Sequence, residues 1–243
     1  MKHLLLALCV FTAAAVNAQF GGYIKAGANY SNLRIIKGYG VQSSQGEVGW
    51  VAGGGAEYHI YNNNYFFFFG LELAQQNFKK DSASSGFQSV VSKYSYHPIY
   101  ANFPFGVSYQ FDLAGNLGLK LTASVTPQVG LGGTVSRNTS YYAQDSSTGG
   151  PVKIREDNTD HKINYGRNSN KDVVFDLATS NFTGNFGVGL NINKTAEISL
   201  TYCYGLINML IGVENAPEIN KLDNLELSFK WYFPRQYYKS TKK

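Results

Sequence analysis

From Leu117 to Leu131 the chain alternates without interruption: Leu117, Leu119, Leu121, Ala123, Val125, Pro127, Val129 and Leu131 are apolar, and Gly118, Lys120, Thr122, Ser124, Thr126, Gln128 and Gly130 fall between them. Side chains alternate faces along a strand, so one face of this segment is greasy throughout and the other is polar or small. A helix would repeat its apolar positions every three or four residues. Strands of soluble sandwiches average about five or six residues. This run of about 15 instead exceeds the roughly 9–11 residues with which a tilted strand crosses a bilayer core.

The same period recurs over residues 24–30, 48–60, 67–76, 99–109, 182–192, 196–206 and 225–233. The expected fold is therefore all-β: an eight-stranded, antiparallel, up-and-down transmembrane β-barrel. Connections fall at 36–46, 61–64, 80–92, 112–116, 134–172, 193–194 and 211–222, alternating long and short. That is the rhythm of an outer-membrane barrel with short periplasmic turns and long extracellular loops. Composition agrees. Charged residues make up only 15% of the chain, against about 25% in soluble domains, while 26 glycines, 18 tyrosines and 16 phenylalanines suit strands rather than amphipathic helices. Once each strand has a direction, the aromatics sort into two girdles. Phe20, Tyr23, Tyr58, Tyr61, Tyr65, Tyr109, Trp231 and Phe233 form the periplasmic one; Trp50, Phe78, Tyr94, Tyr96, Phe182, Tyr202 and Tyr204 form the outer one.

The chain is expected to divide into a signal peptide (1–18), the barrel (19–233) and a basic periplasmic tail (234–243). Lys2 opens the first segment, Leu4 to Phe11 is apolar, and Val16-Asn17-Ala18 places small residues at the cleavage site. Its apolar run is too short to span a membrane as a helix. Removing it leaves Cys203 without an internal disulfide partner. Arg235, Lys239, Lys242 and Lys243 give the tail its charge, read as a solvated end.

With these patterns in place, the chain resembles the PorT-like outer-membrane β-barrel domain family common in Bacteroidota. The residues that carry the resemblance are Gly22 to Ser31, Tyr100 to Phe105, Phe186 to Leu190, Tyr204 to Asn208 and the closing Leu225 to Phe233. It implies the fold and an outer-membrane location but no single activity, since members include a secretion-system component. The last strand also resembles the signal read by the barrel-insertion machinery, with Glu226, Ser228, Trp231 and Phe233 at its polar, small and aromatic places.

Inward positions include Lys25, Glu47, Glu57, His59, Glu72, Gln76, Lys120, Glu197, Glu226 and Lys230. A barrel of eight strands is just wide enough for side chains to fill. Its charges must then pair in a confined space, so Lys25, Glu57, Glu72, Lys120, Glu197, Glu226 and Lys230 are expected to form a structural network that plugs the lumen. Within 134–172, Pro151 to Arg155 and His161 to Tyr165 read as two short strands of a hairpin standing outside.

Enzymatic and metal patterns are fragmentary. Ser95 and His97 share the outward face of strand four, but a triad needs a carboxylate to orient the imidazole, and Asp81 is the nearest candidate. Glu156, Asp157, Asp160 and His161 lack the order of a calcium loop. Gly53-Gly54-Gly55 and Gly130 to Gly133 precede no helix, so they ease packing and curvature rather than cradle phosphate. Pro98 and Pro104 remove ladder donors, and bulges are expected in strand four. No catalytic residue, metal or cofactor is assigned. The expected partners are outer-membrane lipids, the insertion machinery and envelope or secretion-complex proteins, with no nucleic acid; the function is non-enzymatic, with extracellular loops for adhesion or partner binding, or envelope integrity, and a complex subunit or narrow pore as alternatives.

Overall fold

The computed structural model describes residues 20–37, 40–60, 64–84, 88–113, 115–144, 150–166, 176–209 and 219–233. The expected signal peptide, the basic tail and Tyr61 lie outside the described residues. The elements are β1 (Phe20–Lys37), β2 (Gly40–Ser43), β3 (Gln45–His59), β4 (Tyr65–Gln75), β5 (Phe78–Ser84), β6 (Gln88–Asn102), β7 (Phe105–Asp112), β8 (Leu117–Gln144), β9 (Pro151–Lys162), β10 (Asn164–Tyr165), β11 (Asp176–Leu177), β12 (Ser180–Ile192), β13 (Ala196–Gly205) and β14 (Ile219–Tyr232).

All except β10 and β11 belong to one antiparallel sheet. It closes in a ring: β1 pairs with β3, β3 with β4, β4 with β7, β7 with β8, β8 with β12, β12 with β13, β13 with β14, and β14 with β1. Closure removes the sheet edges that would otherwise recruit another strand. Along one side of β8, β12 covers Leu117 to Val129, and β9 takes over from Thr134 to Gln144. The β8–β9 hairpin therefore continues the wall past the closed ring, as do β5 and the start of β6.

These extensions correct the expected long loops. Residues 80–92 and 134–144 are largely strand, and Pro151–Lys162 is one strand running through the acidic cluster instead of two short ones. It pairs with β8, not with itself. Sequence alternation missed them because Ser, Thr, Asn and Tyr occupy both faces there, so no apolar face marks the period. The prolines act where expected, though with a difference. A register slip at Ile99/Tyr100 beside Pro98 leaves Leu131 of β8 as the extra residue, so the bulge lies in the partner strand. At Pro104 the strand breaks between β6 and β7, and the Gly70 N–H donates to the Pro104 carbonyl at 2.9 Å.

The molecule is inverted relative to a water-soluble protein. Val48 (66%), Phe186 (67%) and Leu227 (56%) are exposed, while Glu57 and Glu197 (both 1%) and Lys120 (2%) are buried. An apolar belt of that extent on a folded surface marks contact with lipid or a partner. The girdle assignment needs one correction. Trp50, Tyr65, Tyr202, Tyr204, Trp231 and Phe233 face outward, but Tyr23, Phe78, Tyr94 and Tyr96 are buried inside. They occupy the lumenal parity of their strands, and being aromatic near a strand end does not override parity.

Space inside is tight. A Cβ on Gly55 would sit 2.3 Å from the Phe69 carbonyl oxygen and 2.6 Å from the Tyr23 hydroxyl. Gly55→Val is expected to destabilise the barrel by about 1–3 kcal/mol through overpacking. Urea titration in detergent micelles measures it, and an unchanged midpoint would show that the lumen has slack.

Candidate functional site: the filled lumen

The lumen is built in layers, because residues two apart on each strand step along the barrel axis on the same face. On β14 the inward series is Tyr232, Lys230, Ser228, Glu226, Asn224, Leu222 and Asn220; on β1 it is Tyr23, Lys25, Gly27, Asn29, Ser31, Leu33 and Ile35. Read along both strands, charge near the short-turn end gives way to amides and then to apolar side chains.

The first charged layer holds Glu57, Lys120, Glu197 and Lys230. Lys120 Nζ lies 2.5 Å from Glu57 and 3.3 Å from Glu197, and Lys230 Nζ lies 2.9 Å from Glu197. The Tyr232 hydroxyl sits 2.6 Å from Glu197 and 3.0 Å from Glu57, and it accepts from Lys120 at 3.2 Å. Tyr232 is thus a hub of the layer that counting charges alone overlooks; its place two residues beyond Lys230 on the inward face was the available signal. Phe66 and Tyr232 present ring faces to Lys120 at 4.9 and 5.2 Å, contacts that favour a cation. The second layer holds Lys25 between Glu72 (2.9 Å) and Glu226 (2.8 Å). All seven expected network residues are therefore brought together inside the ring.

The other inward candidates sit elsewhere. Glu47 pairs with Lys79 at 2.6 Å toward the far end, and His59 stacks on Phe66 at 4.7 Å near the short-turn end. Beyond the charges, Asn181 donates to Gln128 at 2.6 Å and Gln128 to Asn102 at 3.1 Å, while Asn185 donates to Ser124 and Thr126 at 3.1 and 2.7 Å. An apolar cap follows. Leu33, Phe78, Tyr96, Tyr100, Val135 and Leu222 from the wall pack with Leu177 of β11 and with Ile163 and Met209 from connecting segments. Tyr165 reaches in as well, its hydroxyl 2.8 Å from the Gly132 carbonyl. The segment expected to be an outside loop thus supplies part of a lid over the lumen.

Ser95 and His97 face away from the lumen, since Tyr94 and Tyr96 are the buried parity. Asp81 stands in register with Lys93, and Ser95 with Lys79. In the outer hairpin, Asp157 pairs with Arg155 at 2.8 Å, and Glu156 bonds to Lys153 and Asn138. Those bonds, led by the one from Lys153, hold the Glu156 carboxyl below its ordinary range. Among the described residues no group of three or more His, Cys, Asp or Glu is placed to hold a metal ion.

A ring of strands that is polar within and apolar without defines a membrane-spanning β-barrel, in which every backbone group is paired and one face of each strand meets lipid. The chain belongs to the outer membrane protein beta-barrel domain family, whose family model matches residues 3–233, and its location is the outer membrane. Among solved structures it is similar to Neisserial surface protein A (NspA), with 11% identity over 87% of this chain and 97% of that one and a TM-score of 0.39. It is also similar to Ail, the attachment invasion locus protein of Yersinia pestis, with 12% identity over 88% and 99% of the two chains and a TM-score of 0.32. The N-terminal β-barrel domain of Pseudomonas aeruginosa OprF shows 14% identity over 86% and 99%, with a TM-score of 0.23. No curated protein matches the chain.

Proposed function

We propose that this protein is a non-enzymatic barrel whose filled lumen stiffens the wall and whose outer sheet is the working surface, for adhesion or for docking an envelope partner. The observation that carries the reading is the length of β8. It runs 28 residues, where about 9–11 suffice to cross. Its second half, with β9, β5 and the start of β6, projects as a polar sheet bearing a groove of about 660 Å³ lined by Lys79, Lys93, Ser136, Asn138, Lys153 and Asp160 among others.

Counted as staves, with β4–β5 and β6–β7 each continuous across its break, the wall has eight. The barrel is of the PorT-like kind of Bacteroidota, which the segments Gly22 to Ser31 and Leu225 to Phe233 support by their resemblance. Export on a cleaved leader and recognition of Trp231 and Phe233 by the insertion machinery complete the proposal, and the exposure of both aromatics supports it. A subunit role in a secretion or envelope complex would use the same outer sheet.

A photo-cross-linking residue at Asn138 or Lys153, introduced in cells, tests this reading. Adducts with envelope or surface partners are expected from both positions and not from Leu200 on the lipid face. With the probe at Asn138, replacing 141–155 by a short Gly-Ser turn is expected to abolish its adduct while the barrel still folds. No adduct from either outer position would overturn the proposal.

A further inference from the structure

We infer that the lumen binds one monovalent cation, in a chamber walled by Glu72, Glu226, Gln76, Asn185 and Asn224. The two charged layers differ in balance. Lys120 and Lys230 match Glu57 and Glu197 in the first, but in the second Lys25 alone faces Glu72 and Glu226. One negative charge is in excess, and the side chains of those glutamates are only 5% and 11% exposed. An uncompensated charge so placed is expensive.

The two layers together hold three lysines against four glutamates, and they meet at a cavity of about 60 Å³ lined by Glu72, Glu226, Lys25 and Lys230 and by the amides of Gln76, Asn185 and Asn224. Gln76 Oε1, Asn185 Oδ1 and Asn224 Oδ1 are buried without a hydrogen-bond partner. These residues are 2%, 5% and 4% exposed. The amide nitrogen of Asn185 is already committed to Ser124 and Thr126, which leaves its oxygen for the chamber. So the network around this cavity lacks one positive charge, and the cavity itself lacks donors for several oxygens.

Water alone would satisfy the oxygens and leave the charge. A proton on one glutamate would remove the charge and satisfy at most one oxygen. A single alkali cation, coordinated by a carboxylate, side-chain carbonyls and a few waters, meets both deficits, and at roughly 10–15 Å³ per water-sized particle the chamber has room for it. A divalent ion would reverse the imbalance, and such ions favour several carboxylates or retain their waters. With an ion-paired layer on one side and the apolar cap on the other, the site has to be loaded as the barrel folds.

The test is to refold the full chain in sodium, potassium, rubidium or N-methylglucamine chloride at equal ionic strength. Melting is expected about 5–10 °C higher in the preferred alkali salt than in N-methylglucamine, at salt about a hundredfold above the dissociation constant. Crystals grown in rubidium are expected to show one anomalous peak in the chamber. Glu226→Gln, which balances the layer, should abolish both effects. Should that variant fail to fold, Asn224→Ala, which keeps every charge, is expected to weaken the peak at least twofold. Identical melting in all salts with no rubidium peak would overturn the inference and assign the chamber to a shared proton and water.

Discussion

Lys120→Met is expected to cost the barrel about 3–5 kcal/mol, the penalty for leaving buried charges without their partner. Glu57 and Glu197 would both lose a lysine at hydrogen-bonding distance. Tyr232 would lose its donor. Methionine fills most of the volume, so the loss would be electrostatic rather than a cavity. Adding Glu57→Gln to Lys120→Met is expected to recover part of the stability, because it removes one stranded charge; recovery of that kind is the sign of direct coupling. Lys153→Met, which breaks an exposed pair with Glu156 in the outer hairpin, is expected to cost less than about 1 kcal/mol. Reversible urea unfolding in lipid vesicles measures all three. Equal small losses for Lys120→Met and Lys153→Met would show that the lumenal layer is well hydrated.

Leu227→Arg is the second large effect. Leu227 lies mid-strand on β14, opposite Ala28 and Leu200, with its side chain turned outward. Arginine at the bilayer midplane costs a transmembrane barrel about 2–4 kcal/mol, falling to about 0–1 near the interface. Ile219→Arg, at the end of the same strand and also outward, is therefore expected to be nearly neutral. In a water-soluble protein both exposed leucine and isoleucine changes would be neutral. A depth-dependent loss in vesicles is the expected result, and equal losses at the two positions would contradict the lipid-facing assignment.

Much of the wall and the lumenal charges could be read in the sequence for one reason: wherever lipid demands an apolar face, alternation is enforced, and parity then says which way a lysine or glutamate points. Lys120 between Leu119 and Leu121, or Glu197 between Ala196 and Ile198, is assigned inward by its neighbours. Outside the membrane that demand lapses. The middle of β9 reads EDNTD with no apolar face, so only its two ends were read as strand and their continuity was hidden. The inner aromatics failed differently. Tyr94, Tyr96 and Phe78 look like girdle residues by composition, and only their parity reveals the apolar cap. Contacts between distant strands were also out of reach: that Lys25 meets Glu72 and Glu226 while Lys120 meets Glu57 depends on the stagger around the ring, which sequence patterns do not encode.

The lumen is sealed by its own side chains, two charged layers below an amide layer and an apolar lid. Single-channel recording on the purified barrel in planar bilayers tests it most directly. The expected trace shows no steady unitary conductance in molar potassium chloride at either polarity. A stable, reproducible step of current carried by the wild-type barrel would show an open lumen and contradict the seal.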